Sequence, residues 1–97
     1  MNIYPAEIEH ALLRVPGVLD CAVVGLPDPE YGERLHAVLQ PAPGASLDVD
    51  AVRARLRTVL AGFKVPRTFS TTAALPRDDN GKVAKRRIRA ELLAAGG

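Results

Sequence analysis

The chain has 97 residues, of which 47% are apolar and 25% are charged, and its formal net charge is +2. This length is typical of one domain, and the composition excludes the low hydrophobicity and high charge of disordered chains. No apolar run is long enough for a membrane-spanning helix, and the N-terminus lacks the charged and apolar segments of a secretion signal. The sequence therefore predicts one cytoplasmic globular domain.

The first half of the chain predicts a helix followed by two strands. Pro5 suits the first turn of a helix, apolar residues recur after it at intervals of four and three, and Pro16 with Gly17 predicts the end of the helix. Residues 18–26 are mostly apolar and β-branched, and residues 34–39 predict a second strand. The turn-forming residues between them predict a hairpin with a long connection.

The second half predicts a helix, a short strand and a final helix. Ser46, Asp48 and Asp50 offer capping groups for a helix that ends at Gly62, and residues 68–72 are extended. The complete order predicts an α+β fold with a small mixed three-stranded sheet, including a β-hairpin, flanked by about three helices. The apolar positions predicted for the last two helices are Val49, Val52, Leu56 and Val59 or Leu60 in one, and Ala84, Ile88 and Leu92 in the other.

The basic residues are unevenly distributed, because six of the thirteen fall between positions 77 and 89. This concentration indicates an anionic partner at one end of the domain and leaves a small nucleic-acid-binding module as an alternative. Only two tyrosines and two phenylalanines occur, none of them within the cluster, so stacking residues for single strands are lacking. The six are Arg77, Lys82, Lys85, Arg86, Arg87 and Arg89.

Cysteine and histidine residues do not suggest a metal or nucleophile site. Cys21 lies in a predicted strand, where a small apolar side chain fits the core, and it has no second cysteine with which to pair. His10 in a helix and His36 in a strand lack the spacing and carboxylate neighbours of a metal or triad site. Structural roles are therefore predicted for all three residues.

Four motifs in order resemble those of adenylate-forming ligases. They are NIYPAEIE at residues 2–9, VVGLPD at 23–28 with GE at 32–33, FKVP at 63–66, and LPRDDNGK at 75–82 followed by KRRIR at 85–89. The resemblance identifies the C-terminal domain of an acyl-CoA synthetase. The sequences of the first and last motifs are similar to those of the acyl- and aryl-CoA synthetase branch. A C-terminal subdomain of a peptide-synthetase adenylation domain is the alternative within the superfamily.

This resemblance implies that residues 1–97 form a single C-terminal lid domain of a longer enzyme. The large N-terminal AMP-binding domain and the hinge would then lie outside the chain, which we expect to be an excised domain. ATP with Mg²⁺, CoA and the carboxylic acid substrate would bind mainly to that larger domain, so the isolated chain is expected to be inactive. A stand-alone adaptor that binds an enzyme without catalysing a reaction is a further alternative.

Lys82 is the catalytic candidate that the resemblance implies. In this family, adenylation joins a carboxylate to the α-phosphate of ATP, and a lysine between these anionic groups would stabilise the developing charge. Pro76 and Gly81 would support the loop that carries Lys82. The same Pro76-to-Lys82 spacing resembles a pattern that protein acetyltransferases recognise, so Lys82 is also the predicted acetylation site.

The resemblance also implies that the domain rotates after adenylation, which withdraws Lys82 and presents a second face to CoA. Residues Asn2, Ile3, Tyr4 and Pro5 are the candidates for facing CoA on that second surface, with a plain helix start as the alternative. Lys64 is predicted to contact the N-terminal domain or to lie at the surface. The basic residues of the last helix are expected to be solvated, with contact to CoA phosphates as the alternative: Lys85, Arg86, Arg87 and Arg89.

Overall fold

The computed structural model describes residues 3–96. Three α-helices and three strands follow one another in the predicted order, and one short 3₁₀ helix, Gly62–Lys64, precedes the last strand. No helix within residues 3–96 is long and apolar enough to cross a bilayer. The main elements are α1 (Pro5–Leu13), β1 (Val18–Asp28), β2 (Gly32–Pro41), α2 (Val49–Leu56), β3 (Thr68–Thr71) and α3 (Lys85–Ala94).

The three strands form one mixed sheet in the order β1-β2-β3. Strands β1 and β2 are antiparallel, with Val23 opposite Ala37, and β3 runs parallel to β2, with Thr68 opposite His36. A mixed three-stranded sheet with a hairpin and three helices confirms the α+β fold that the sequence predicts. Because β1 is at one end of the sheet, one of its edges has no neighbouring strand among residues 3–96.

Both faces of the sheet are buried, because the side chains of β1 alternate between two apolar clusters. Cys21 and Val23 lie in a cluster with α1 and α2, whereas Ala22 and Val24 lie in a second cluster with Ile88 of α3. Helices α1 and α2 therefore cover one face of the sheet and α3 covers the other. Burial on both faces explains why residues 21–24 are all apolar.

The connection between β1 and β2 is shorter than the sequence predicts. Strand β1 continues to Asp28 and β2 begins at Gly32, so only three residues join them. The Asp28 carboxylate accepts hydrogen bonds from the backbone N–H of Glu30 and Tyr31 at 2.8 and 3.0 Å, and Gly32 has a φ of 82°. These hydrogen bonds, that of Tyr31 first, lower the pKa of Asp28. The residues interpreted as a long loop therefore form the ends of the strands and a tight turn.

Helix α2 ends earlier than predicted, at Leu56 rather than at Gly62. Its start is as expected, because the Asp48 side chain accepts the backbone N–H groups of residues 50 and 51. After Leu56 the backbone hydrogen bonds become mixed, because those of Thr58 and Val59 reach three residues back and that of Leu60 reaches four residues back. Thr58 also donates its hydroxyl to the Arg55 carbonyl oxygen at 2.7 Å. Gly62 consequently starts the 3₁₀ helix. Of the two apolar residues predicted as alternatives near the end, Val59 is 65% exposed, whereas Leu60 is partly buried and packs against the core.

A buried histidine joins β2 to β3. His36 is 6% exposed, and its two ring nitrogens lie 2.7 Å from the Thr68 hydroxyl oxygen and 2.8 Å from the Ser70 hydroxyl oxygen. Burial, and to a smaller extent the charge of Arg34, lowers the pKa of His36 below its ordinary value of 6.5. The structural role predicted for this residue is confirmed, and the neutral ring is the form that the fold favours.

Acidification should therefore destabilise the domain through His36. The unfolded chain takes up this proton near pH 6.5, whereas the folded chain takes it up only at a lower pH, so protonation favours unfolding. The stability that the neutral ring contributes is complete above the unfolded-state pKa and is lost as the pH falls through the folded-state pKa. The free energy of unfolding is measured with urea at several pH values between about pH 7.5 and about pH 5. We expect it to decrease less steeply with falling pH in His36→Gln than in the wild type.

The exposed helical residue His10 provides the matched control, because His10→Gln makes the same substitution away from the contact between β2 and β3. Parallel profiles for the wild type and His36→Gln would contradict the assignment.

Candidate active site

Lys82 lies in a tight hairpin between β3 and α3, here called the Lys82 hairpin and comprising residues 76–84. An antiparallel β-bridge between Arg77 and Val83 joins its two sides. The Asp78 N–H also donates to the Lys82 carbonyl oxygen at 2.8 Å, and a backbone hydrogen bond links residues 76 and 84. The Asp78 carboxylate also accepts the Lys82 N–H at 3.0 Å and the Asn80 N–H at 2.8 Å. The backbone of Lys82 is therefore held on both sides by Asp78.

Gly81 supplies the turn in the Lys82 hairpin, because its φ of 78° is a conformation that residues with a Cβ rarely adopt. Its N–H donates to the Asp78 carbonyl oxygen at 3.0 Å. Pro76 lies at the base of the hairpin, where its carbonyl oxygen accepts the Ala84 N–H at 2.9 Å. The structure thus brings Pro76, Gly81 and Lys82 into one unit.

The side chain of Lys82 is exposed at this turn. Within residues 3–96 its ammonium has no ion-pair or hydrogen-bond partner, whereas Lys64 and Lys85 are each paired with a glutamate. A flexible four-carbon stem on an ordered backbone gives a cation that is free to reach an anionic ligand outside the domain.

The basic residues of α3 differ in their contacts with the rest of the domain. Lys85 pairs with Glu9 of α1 at 2.8 Å, and Arg89 donates to the Gly25 carbonyl oxygen at 2.9 Å. Arg87 pairs with Glu91 one turn further along the helix, and Arg86 is exposed. The solvated face predicted for α3 consequently applies to Arg86 and Arg87, while Lys85 and Arg89 fasten the helix to the domain.

The residues predicted to face CoA lie at the start of α1. Asn2 is outside the described residues. Ile3 and Tyr4 are 36% and 62% exposed, and Pro5 occupies the first position of the helix. No hydrogen bond or ion pair within residues 3–96 joins these three side chains to the Lys82 hairpin. They form an exposed region at the start of α1.

Lys64 is the last residue of the 3₁₀ helix, and its side chain is 23% exposed. Its ammonium pairs with the Glu7 carboxylate at 2.8 Å and lies 5.8 Å from the centre of the Phe63 ring. The side chain therefore fastens the segment after α2 to the first helix.

Cys21 has the buried environment that the sequence predicts. Burial, followed by the charges of Glu9 and Asp20, raises the pKa of its thiol to about 12, so the thiolate is not formed near neutral pH. Its sulfur lies 3.6 Å from the Glu9 carbonyl oxygen. Residues 3–96 contain no group of three or more side chains that could hold a metal ion.

A basic groove beside β3 was not identified from the sequence. It has a volume of about 310 Å³ and is lined by Arg53, Arg57 and Arg67 together with Gly62, Val65 and Pro66. Arg53 pairs with Asp50, whereas the exposed Arg57 guanidinium has no partner within the described part of the chain. Arginines 53 and 57 are four apart on the end of α2, which is the only signal in the sequence that could have indicated this groove.

Comparison with known proteins shows the family of this chain. Residues 7–82, which include Lys82, match the AMP-binding enzyme C-terminal domain. The chain belongs to this family. Its resemblance to the C-terminal domain of acyl-CoA synthetases is thereby confirmed.

Relatives of this AMP-binding C-terminal domain include CoA synthases and CoA ligases. Feruloyl-CoA synthase of Amycolatopsis sp. is 50% identical over 88 residues, which are 91% of this chain and 18% of that protein. The Mycobacterium tuberculosis fatty acyl CoA synthetase superimposes with a TM-score of 0.90 at 35% identity, covering 98% of this chain and 19% of the other. ATP-bound MatB from Rhodopseudomonas palustris gives 0.89 at 37% identity, covering 94% and 18%. This chain thus spans about a fifth of each of these proteins.

Proposed function

We propose that this chain is the mobile C-terminal catalytic domain of an acyl- or aryl-CoA synthetase, an acid-thiol ligase. The observation that carries the proposal is the unpaired ammonium of Lys82 on an ordered hairpin within residues matched to the AMP-binding C-terminal domain. ATP with Mg²⁺, CoA and the acid would bind mainly to a larger N-terminal domain of the same enzyme.

In the first half-reaction, a carboxylate oxygen of the acid attacks the α-phosphorus of ATP, and the bond to pyrophosphate breaks. The carboxylate and the phosphate oxygens repel one another as they converge. Lys82 would place its positive charge between them and stabilise the charge that develops at phosphorus. A lysine suits this task because its charge is compact and its stem is long and flexible.

In the second half-reaction, the CoA thiol loses its proton and attacks the acyl carbon of the adenylate, which releases AMP. Lys82 in the cleft would obstruct this attack, so the domain would rotate to withdraw it. The exposed region at Ile3, Tyr4 and Pro5 would then approach the pantetheine arm of CoA. One rotation of the domain would then replace the Lys82 hairpin with this region in the cleft.

The proposal is tested with the full-length enzyme by two assays. Exchange of labelled pyrophosphate into ATP should require a carboxylic acid, and free CoA should then yield the acyl thioester, whereas residues 1–97 alone should catalyse neither step. Transfer to a carrier protein but not to free CoA would favour the peptide-synthetase alternative. Failure of acid-dependent exchange would contradict the proposal.

The basic groove offers a place for the phosphates of CoA, because its arginines surround an open polar space and Arg57 is unpaired. An exposed ion pair contributes up to about 1 kcal/mol, which corresponds to about a fivefold change in affinity. We therefore expect Arg57→Ala to raise KM for CoA about fivefold while KM for ATP and for the acid stays unchanged. Arg86→Ala on α3 is the control, and an increase in KM for CoA only in that variant would favour α3 instead.

The same exposed ammonium would make Lys82 a target for a protein acetyltransferase. Acetylation removes the positive charge, so it would inhibit adenylation. Mass spectrometry of the enzyme after treatment with an acetyltransferase and acetyl-CoA should find modification at Lys82; modification at other lysines only would reject this proposal.

A further inference from the structure

Two cations that flank Lys82 in the sequence fasten the Lys82 hairpin to the rest of the domain. The first is Arg77, whose Nη2 donates to the Asp20 carboxylate of β1 and whose Nη1 donates to the Gly81 carbonyl oxygen at 2.8 Å. One planar guanidinium therefore joins β1 directly to the residue that precedes Lys82. A lysine has no fork of this geometry and could not hold both oxygens in the same way.

The second cation is Lys85, three residues after Lys82. Its ammonium lies 2.8 Å from Glu9 Oε2, and the same carboxylate oxygen accepts the backbone N–H of Val23 at 2.8 Å. Because α1 and α3 lie on opposite faces of the sheet, this ion pair passes around the free edge of β1. The segment that contains Lys82 is thus held on both sides by carboxylates at that edge.

These two ion pairs are more shielded from water than an ordinary surface pair. The side chains of Asp20 and Glu9 are 23% and 20% exposed, whereas the side chain of Glu91, which is paired with Arg87, is 59% exposed. Screening by water is weaker around partly buried charges, so the first two pairs should fix geometry better than the third.

We propose that Arg77 and Asp20 are positioning residues for adenylation, which hold the Lys82 hairpin at one fixed orientation relative to the sheet. The proposal rests on the proposed function of Lys82. With the hairpin fastened, movement of the whole domain delivers Lys82 to one defined point in the cleft. Without Arg77, the hairpin keeps its internal bonds to Asp78 but loses its attachment to β1, so Lys82 samples a wider volume.

The test uses the Arg77→Met and Asp20→Asn variants of the full-length enzyme. Misplacement of a reacting group by about 1 Å can cost up to about 100-fold in rate, so we expect acyl-adenylate formation to slow by about 10- to 100-fold. The rate of thioester formation from a synthetic acyl-adenylate should stay within about twofold of the wild type, because that step does not use Lys82 in the proposed mechanism. Arg77→Lys, which keeps the charge without the fork, should restore only part of the rate.

Arg87→Met is the matched control, since it removes an arginine from an ion pair that does not touch the hairpin, and both half-reactions should remain at the wild-type rate. A purely structural role for Arg77 would instead lower both half-reactions together, in proportion to the fraction of enzyme that is unfolded. Thermal melting of each variant measures that fraction independently.

A double variant that combines Arg77→Met with Lys82→Ala distinguishes the positioning role of Arg77 from the proposed function of Lys82. If Arg77 acts through Lys82, adding Arg77→Met to Lys82→Ala should cause no further loss of adenylation, because residues that act as a unit have non-additive effects. A normal rate of adenylation in Arg77→Met, with a selective loss in Lys82→Ala, would overturn the positioning role but leave the proposed function intact. A normal rate in Lys82→Ala itself would overturn both.

Discussion

Replacing Lys82 with alanine in the full-length enzyme is expected to slow acyl-adenylate formation by about 100- to 1,000-fold. This estimate follows from the loss of one preorganised donor to a developing anionic centre, which typically costs roughly 3 to 4 kcal/mol of transition-state stabilisation. Thioester formation from a synthetic acyl-adenylate should be nearly unchanged. The two rates are measured separately, by release of pyrophosphate and by consumption of free thiol.

The appropriate control is Lys64→Ala, which removes a lysine whose ammonium is already paired with Glu7. It should leave the ratio of the two half-reactions unchanged. Equal losses in both half-reactions of Lys82→Ala, or unimpaired adenylation, would contradict the role of Lys82. Because the Lys82 side chain is exposed, its replacement should not unfold the domain, so a loss of adenylation alone would not be explained by a folding defect.

The largest effect on stability is expected from Leu39→Ala in the central strand. Leu39 has no exposed surface and lies in the apolar cluster between the sheet and helices α1 and α2. Truncation of such a leucine removes buried methyl groups and leaves a cavity, which together cost about 2 to 5 kcal/mol. A domain of this size has about 5 to 15 kcal/mol of stability in total. The free energy of unfolding in urea should therefore fall by a large fraction.

Leu19→Ala is the matched control, because Leu19 is a strand residue with 54% of its surface exposed. Its free energy of unfolding should change by less than about 1 kcal/mol. Equal losses for the two leucine variants would contradict the assignment of Leu39 to the core.

The order and type of all six main elements could be predicted from the sequence because local signals determine them. Asp48 caps α2 as its side-chain chemistry indicates, and the apolar run in residues 18–26 is a strand buried on both faces. The ends of elements were less predictable. The turn at Asp28 and the early end of α2 depend on particular side-chain hydrogen bonds. The sequence pattern does not show these bonds, so it predicts a longer loop and a longer helix than the structure contains.

The candidate site was predictable only where one motif contains all its parts. Pro76, Gly81 and Lys82 lie within seven positions, and the Asn-Gly dipeptide indicates the turn that the structure contains. The partners of the hairpin were not predictable, since Arg77 and Asp20 are 57 positions apart and meet only after the sheet has formed. The basic groove was missed for the same reason, because Arg67 approaches α2 only through the fold.

The carboxylate of Glu9 has a further consequence for how the domain behaves in a crowded solution. An unpaired strand edge is a template onto which another polypeptide can add, and such additions lead to aggregation. At Val23 the edge donor is already occupied by an acidic side chain from α1. A foreign strand would have to displace this carboxylate and separate it from Lys85. The contact near the hairpin therefore also discourages self-association of the domain.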